Sequence, residues 1–358
     1  MELGEGLIDA VHGAVSIAAK EEQVTSHIVR TRKVLVMAVA VVLLCIAAIA
    51  ATSSGALGIG FGDLVSHVTG AAALNERDLA VITQIRLPRV VNALIVGATL
   101  AVSGAVFQTL FRNPLADPYF LGVSSGASLG VTAAMMAGAS SAGVIPAAFV
   151  GGMAAVGIAY LVATGAGSHP TVIVLAGVAV SAFAGAVQSY LQIRDLKKLE
   201  GVYVWLLGNL GRAGWKDIAT VLCVVVPCWC AILAASKALD VLTLGEAEAQ
   251  TLGINVQLAR VVLIAVATLA TSAVVSISGL IGFVGIVVPH MLRLMVGPGH
   301  GFLLPLTIVA GAGFLLAADT IARSILAPQE LPVGVVTAFI GAPFFLFLLI
   351  KAARGGVR

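Results

Sequence analysis

Charge is scarce in this 358-residue chain. Asp, Glu, Lys and Arg make up 10% of it, whereas soluble domains carry about 25%. Apolar side chains make up 59%, and the mean hydropathy is +1.08. These values exclude a soluble globular enzyme and predict a membrane protein. The apolar runs do not alternate with polar residues, so a transmembrane β-barrel is excluded as well.

Groups that bind metals, nucleotides or nucleic acids are also missing. All four cysteines lie in apolar stretches, which favours packing over a disulfide or zinc framework. No histidine falls in an H-E-x-x-H pattern, and no lysine follows a glycine, so a phosphate-binding P-loop is absent. The net charge is only +3, without basic runs next to aromatics. We therefore expect no cofactor bound by this chain and no nucleic-acid partner.

Long apolar runs dominate what is present, and each is the length of a membrane-spanning helix. The fold class predicted is all-α, a polytopic membrane protein with about ten transmembrane helices and no separate aqueous domain. The piece Val202–Leu210 is too short to cross. The predicted spans are approximately 34–54, 88–107, 115–138, 144–164, 171–192, 218–236, 257–277, 279–296, 303–322 and 333–351.

Basic flanks predict the orientation. Arg30, Arg32 and Lys33 precede the first span and Lys351 follows the last, which places both ends in the cytoplasm. Residues 1–33 are then a cytoplasmic N-terminal tail, 34–353 the transmembrane domain, and 354–358 a cytoplasmic end. If successive spans cross the membrane in opposite directions, 11 of the 20 Lys and Arg residues lie on the cytoplasmic side and nine on the outer side. The cytoplasmic side thus has only a small excess of Lys and Arg, which indicates that some of the cations on the outer side have a function.

The outer segment Arg86-Leu-Pro-Arg89 opens the second span. Two arginines at this position either clamp carboxylates in bidentate fashion or reach toward lipid phosphate, and the residues alone favour neither. Asp319 lies four residues before Arg323, the spacing of a helical ion pair.

Small residues recur every fourth position in two sets, Gly122–Gly130 and Gly177–Ser189. Each set makes a smooth helix face, which serves packing within the chain or contact with another subunit or a substrate path. On the inner side, residues 237–257 form the longest polar interruption of the second half. Short helices joined by glycine would offer a cytosolic protein a handle there; a solvated loop is the alternative.

Two other function classes fit these residues less well. Buried charges are few, so an energy source outside the chain is favoured over an ion-coupled secondary transporter. Gly122-Val-Ser124-Ser-Gly126 matches the serine-hydrolase elbow, but it lies in an apolar helix without a histidine and an acid beside it.

The ordered motifs from residue 34 to 353 resemble those of the FecCD-type permease subunits of binding-protein-dependent ABC importers, which have the type II importer architecture. The strings that carry the resemblance are Arg86–Arg89, Gly104–Gln108, Arg112–Pro118, Leu121–Ala127, Leu175–Val178, Leu244–Glu246, Leu252–Gly253, Gly282–Gly285, Val288–Arg293, Ala318–Arg323, Leu331–Val336 and Gly341–Pro343.

The resemblance implies a homodimer, or a pair with a close homologue, in the bacterial cytoplasmic (inner) membrane. Two cytosolic ABC ATPase subunits would bind ATP and Mg²⁺, and an extracytoplasmic binding protein would deliver the cargo. The expected cargo is an iron-siderophore chelate, with cobalamin or haem as alternatives.

The resemblance also assigns site residues, none of them catalytic and none a metal ligand. His169 departs from the small polar residue expected at the inner gate. The implied sites are binding-protein docking at Arg86, Arg89 and Arg323, ATPase coupling at Leu244, Gly245, Glu246, Leu252 and Gly253, and the inner gate and path at Pro170, Thr171, Gly177, Ser181 and Gln188.

Overall fold

The computed structural model describes residues 31–54, 60–70, 74–165 and 170–355. The predicted tail therefore lies outside the described residues up to position 30, as do positions 356–358. The contacts between residues separate the chain into two compact units, Met1–Leu43 and Leu44–Arg358. The described part of the first unit, 31–43, is helical, and every contact discussed below lies within the second unit.

The described residues are helical and contain no strand, which confirms the all-α class. Among the described helices, seven are long and apolar enough to cross a membrane, and three further apolar helices bring the number to about the ten predicted. The long ones are α1 (Thr31–Ser53), the continuous run of α3 (Glu76–Val81), a π-helical turn (Ile82–Arg86) and α4 (Leu87–Leu110), then α6 (Ser141–Gly165), α7 (Pro170–Arg194), α9 (Trp215–Ala234), α12 (Val256–Ser278) and α14 (His300–Ser324).

The other three apolar helices are α5 (Val123–Met136), α13 (Val284–Val296) and α15 (Val333–Gly355). Four further helices are too short to cross. They are α2 (Phe61–Val68), α8 (Leu199–Leu206), α10 (Ser236–Leu244) and α11 (Glu246–Thr251).

Two predicted span starts were wrong. The span predicted from 115 begins instead with a 3₁₀ turn, Pro118–Leu121, and α5 starts only at Val123. The span predicted from 279 starts at Val284, because Gly279 leaves the helical region at φ 71°. A Cβ at Gly279 would lie 2.2 Å from the Trp205 carbonyl oxygen. Tight packing against α8 therefore fixes a non-helical entry to α13.

Helix α4 is the central helix, and its residues from Ala98 to Leu110 are all buried. Glycines let its neighbours approach without side chains between them. A Cβ built on Gly97 would lie 2.3 Å from the Gly311 carbonyl oxygen of α14. One on Gly104 would lie 2.0 Å from the Gly285 carbonyl oxygen of α13. Helix α4 is thus in close backbone contact with both helices.

The first small-residue set packs within the chain, which is one of the two roles that the sequence allowed for it. A Cβ at Gly126 would lie 2.2 Å from the Gly151 carbonyl oxygen, and one at Gly130 would lie 2.1 Å from the Ala147 carbonyl oxygen. These contacts form the seam between α5 and α6. The cysteines correct a prediction, because only Cys228 is buried, while Cys45, Cys223 and Cys230 are exposed on their helices.

Candidate functional site

Asp319 is the centre of a charged cluster at the end of the bundle that the flanking cations predict to be the outer one. Its buried carboxylate accepts hydrogen bonds of 2.9–3.1 Å from Nε and Nη2 of Arg89, which lies on α4. Arg323 Nε lies 3.2 Å from Asp319 Oδ2, which confirms the predicted i,i+4 ion pair. The carboxylate therefore joins α14 to α4 through Arg89 and also pairs with Arg323 of its own helix.

Glu330 completes the acidic part of this outer ion cluster, which we define as Arg86, Arg89, Asp319, Arg323 and Glu330. Its carboxylate lies 2.7 Å from Arg89 Nη1, and its side chain is 50% exposed. The Asp319 contact uses the Nε edge of the Arg89 fork, so Glu330 uses the remaining edge. The segment Leu210–Arg212 adjoins this edge, since a Cβ on Gly211 would lie 3.3 Å from Arg89 Nη1.

The other two arginines contact the C-terminal end of α1. Arg323 donates to the carbonyl oxygens of Ser54 and Ala51 at 3.0 and 2.9 Å, and Arg86 donates to that of Thr52 at 3.0 Å. The last carbonyls of a helix have no partner within it and carry partial negative charge. Guanidinium groups satisfy them and complement the helix dipole.

The structure therefore brings the three predicted docking arginines together and engages each of them inside the chain. Arg86 is 5% exposed and Arg323 8% exposed. Their docking role stays a prediction. The i,i+4 spacing indicated the partner of Arg323, but the pairing of Asp319 with Arg89 and the part played by Glu330 had no sequence signal.

The predicted coupling residues lie on or next to two short helices, α10 and α11, on the face predicted to be cytoplasmic. Gly245 joins α10 to α11 at φ 149°, and Gly253 turns the chain toward α12 at φ 81°. Leu244 and Leu252 are 64% and 61% exposed. The geometry matches the expected short helices joined by glycine rather than a solvated loop.

Glu246, the first residue of α11, is held by an ion pair to Arg260 of α12. This pair attaches the short helix to a membrane-spanning one. The segment therefore presents two apolar side chains outward on a fixed backbone. Its ATPase-coupling role stays a prediction.

The predicted gate residues Pro170 and Thr171 begin α7, and Thr171 is exposed. His169 lies outside the described residues. Gly177 is buried and faces the 3₁₀ turn Pro118–Leu121, and its role in the path stays a prediction. A Cβ on it would lie 2.4 Å from the Phe120 carbonyl oxygen.

Ser181 lies on the same packed side, with its Oγ 3.3 Å from the Cβ position of Gly122. Close packing of small residues explains both placements. Gln188, two turns further along α7, is half-buried. The second small-residue set thus serves packing within the chain at its start, and the path role of its later part stays a prediction.

These features define the class: a polytopic helical membrane protein, whose described residues include seven helices long enough to cross a membrane and three further apolar ones, with charged clusters near the two ends of its helix bundle. The chain belongs to the FecCD transport family, which matches residues 38–351.

Relatives of known name support this assignment along most of the chain. The cobalamin import system permease protein BtuC of Halobacterium salinarum is 47% identical over 76% of this chain and 74% of its own length. The hemin transport system permease protein HmuU of Yersinia pestis is 37% identical over 90% of this chain and 97% of its own. Both are named as permease proteins of a transport or import system, and this chain is likewise the permease component of an ABC importer.

A solved structure shares the fold. It is described as an inward-facing conformation of a metal-chelate type ABC transporter. The two chains superpose with a TM-score of 0.79 and 32% sequence identity, covering 88% of this chain and 98% of the other. The solved structure therefore has the same helical architecture as this chain.

Proposed function

We propose that this chain carries a metal chelate delivered by an extracytoplasmic binding protein across the bacterial inner membrane, powered by two separate cytosolic ATPase subunits. The family assignment over residues 38–351 carries the proposal. The exposed inner helices support the proposal, because the side chains of Leu244 and Leu252 offer an ATPase an apolar contact surface. Both chain termini are proposed to face the cytoplasm, on the basis of the flanking cations.

Transport then works by alternating access. ATP binding closes the partner ATPase pair, the segment from Leu244 to Gly253 moves with it, and the path changes the side to which it opens. A conformational equilibrium shifts only through contacts that differ between the two states. The chain's own contribution is therefore mechanical, and the cargo does not react.

Cobalamin is the cargo we propose first. The relative at 47% identity is named for cobalamin import and the one at 37% for hemin transport. This ranking places an iron-siderophore chelate, which the motifs alone had favoured, behind its alternative. Haem is the second candidate. All three are bulky metal chelates, for which a path with few charged side chains is suitable.

Docking of the binding protein is proposed at the outer surface above the ion cluster. Arg89 reaches that surface through the edge that Glu330 occupies, and exposed Arg212 lies next to it in the chain segment that adjoins Arg89. Cations at this surface suit a partner that presents carboxylates. Buried Arg86 and Arg323 would support the surface from beneath.

A second copy, or a close homologue, is the proposed membrane partner. Helix α15 carries an apolar cavity of about 570 Å³ with Leu206, Leu280 and Phe339 in its wall. Phe339 is 75% exposed. A second permease chain covering such a face would form the other wall of the path.

Reconstitution in proteoliposomes tests the proposal. The chain is co-reconstituted with its ATPase and binding protein, and uptake of radiolabelled cobalamin is compared with uptake of haem and of a ferric siderophore. We expect cobalamin to accumulate only with ATP. Accumulation by the chain alone under a proton or sodium gradient would instead show an ion-coupled transporter.

A docking variant makes the same assay more specific. Arg212→Glu is expected to weaken binding-protein-stimulated uptake, because it reverses an exposed charge next to the cluster. Lys197→Glu reverses another exposed cation and serves as the control. Equal uptake by the two variants would contradict docking at this surface.

A further inference from the structure

A second polar network lies at the inner end of the bundle, and it begins at Asp240 on α10, within the predicted ATPase-coupling segment of about residues 237–257. The Asp240 carboxylate on α10 accepts hydrogen bonds from the backbone N–H of His300 and from its imidazole Nδ1, both at 2.7 Å. His300 is the first residue of α14. A carboxylate at this position satisfies an N–H that has no helical partner and complements the positive end of the helix dipole.

The network continues into α4 and α13. His300 Nε2 lies 2.7 Å from the Thr109 hydroxyl of α4, and Arg293 Nη2 donates to the same hydroxyl oxygen at 3.1 Å. Arg293 also donates through Nη1 to Gln108 Oε1. Gln108 in turn donates to the carbonyl oxygen of Gly285 at 3.1 Å. Four helices, α10, α14, α4 and α13, thus share one set of hydrogen bonds.

Asp240 and His300 have defined roles in this network. An ionised Asp240 only accepts, so the imidazole Nδ1 carries a proton. The Thr109 hydroxyl has one proton and two acceptors within reach, His300 Nε2 at 2.7 Å and the Ala105 carbonyl oxygen at 2.9 Å. Its oxygen accepts from Arg293. Changing one member of the network therefore affects its neighbours.

Burial distinguishes the members of this network. His300, Thr109 and Gln108 are buried, whereas the Asp240 side chain is 43% exposed. Asp240 is thus the exposed member of the network and lies on the coupling segment, while His300 makes its contact with Asp240 inside the bundle. Losing the carboxylate would leave buried N–H groups of His300 without a partner.

Helices α4 and α14 connect this inner network to the outer ion cluster. Helix α14 has 25 residues and is about 37 Å long. Arg89 and Asp319 join the two helices at the outer end, Gly97 contacts Gly311 between the ends, and Thr109 contacts His300 at the inner end. Because the pair is linked at three levels, it can move as one unit.

We infer that Asp240 and His300 are positioning residues that tie the ATPase-coupling segment to the α4–α14 pair, so that a displacement of α10 moves both helices. This inference rests on the proposed function, because it needs an ATPase that moves the segment. The observation that carries it is the two-point contact of one carboxylate with the first residue of α14. Neither residue touches cargo in this account.

The test measures uptake per ATP hydrolysed in the reconstituted complex. Asp240→Ala and Thr109→Val break the network at two places, while Asp240→Asn and Thr109→Ser keep an oxygen at each place. Asp217→Ala is the matched control, since the Asp217 carboxylate caps its own helix by accepting from Gly214 N–H at 3.0 Å. Assembly is checked by copurification of the ATPase.

We expect ATP hydrolysis to continue in Asp240→Ala while uptake per ATP falls on the order of tenfold, the factor that one lost charge-assisted hydrogen bond gives. The two conservative variants should restore most of the ratio. The double variant Asp240→Ala/Thr109→Val should be no worse than the poorer single variant, because both act on one network.

Three results would overturn the inference: an unchanged ratio in the two disrupting variants, an equal loss in Asp217→Ala, or additive losses in the double variant. Failure of both disrupting variants to assemble would also overturn it, by showing a purely structural role. A wild-type complex that takes up cargo without ATP would instead contradict the proposed function, before any variant is measured.

Discussion

Replacing Asp319 with alanine should destabilise the folded chain by about 3 kcal/mol, because it leaves two buried guanidinium groups without their shared carboxylate. The side chain of Asp319 is 1% exposed, and those of Arg89 and Arg323 are 11% and 6% exposed. Removing one partner of a buried ion pair costs about 3–5 kcal/mol. The lower value applies here because Arg89 keeps Glu330 and Arg323 keeps two carbonyl oxygens of α1.

Thermal unfolding in detergent provides the assay. Cys228 is buried while Cys45, Cys223 and Cys230 are exposed. Replacing the three exposed cysteines with serine leaves Cys228 as a thiol that a fluorescent dye labels on unfolding. A loss of about 3 kcal/mol should lower Tm by roughly 6 °C or more, at about 2 °C per kcal/mol for a chain of this size.

Asp195→Ala is the control, because its ion pair with Lys198 spans 3.4 Å at the surface, with both side chains more than a third exposed. Exposed pairs of this kind contribute about 0–1 kcal/mol. Asp319→Asn should fall between the two variants, since it keeps the shape and an acceptor oxygen. If Asp319→Ala and Asp195→Ala shift Tm equally, the outer ion cluster does not stabilise the fold as the geometry indicates.

Three further predictions concern packing and the partner proteins. Gly104→Ala should lower Tm by several degrees, because its Cβ would lie 2.0 Å from the Gly285 carbonyl oxygen, whereas Gly157→Ala, with open space at its Cβ, should not. A Tm unchanged by Gly104→Ala would contradict the close contact of α4 and α13. Leu252→Asp should reduce copurification of the ATPase several-fold, as it places a charge on an apolar contact; full recovery of the complex would exclude this residue from the ATPase interface. Glu330→Gln should lower the Kd for the binding protein a few-fold, measured by surface plasmon resonance, because a neutral side chain competes less with an incoming carboxylate. A weaker complex would mean that Glu330 itself contributes to docking.

The number and class of the spans were predictable because lipid requires every backbone polar group to be bonded within its own segment, so each span needs a long apolar run. The starts of α5 and α13 were not predictable from apolarity. Gly279 and Phe283 adopt positive φ, at 71° and 69°, under contacts made by distant parts of the chain. Apolar residues outside a helix look the same in sequence as apolar residues inside one.

In the candidate sites, likewise, contacts between residues close in sequence were predictable and contacts between distant residues were not. The pair of Asp319 with Arg323 follows from helical spacing. The pair of Asp319 with Arg89 joins residues 230 positions apart, and the contact of Asp240 with His300 joins residues 60 apart. Such contacts depend on which helices become neighbours, and neither periodicity nor composition contains that information.

The C-terminal end of α1 has a consequence for biosynthesis. The carbonyl oxygen of Ser54 is bonded by Arg323, a residue 269 positions later in the chain. While the ribosome is still producing the middle helices, this carbonyl has no such donor, and it remains hydrated at the membrane surface. The outer end of the first span is therefore completed only when the ninth has been inserted, so its final assembly occurs late in synthesis.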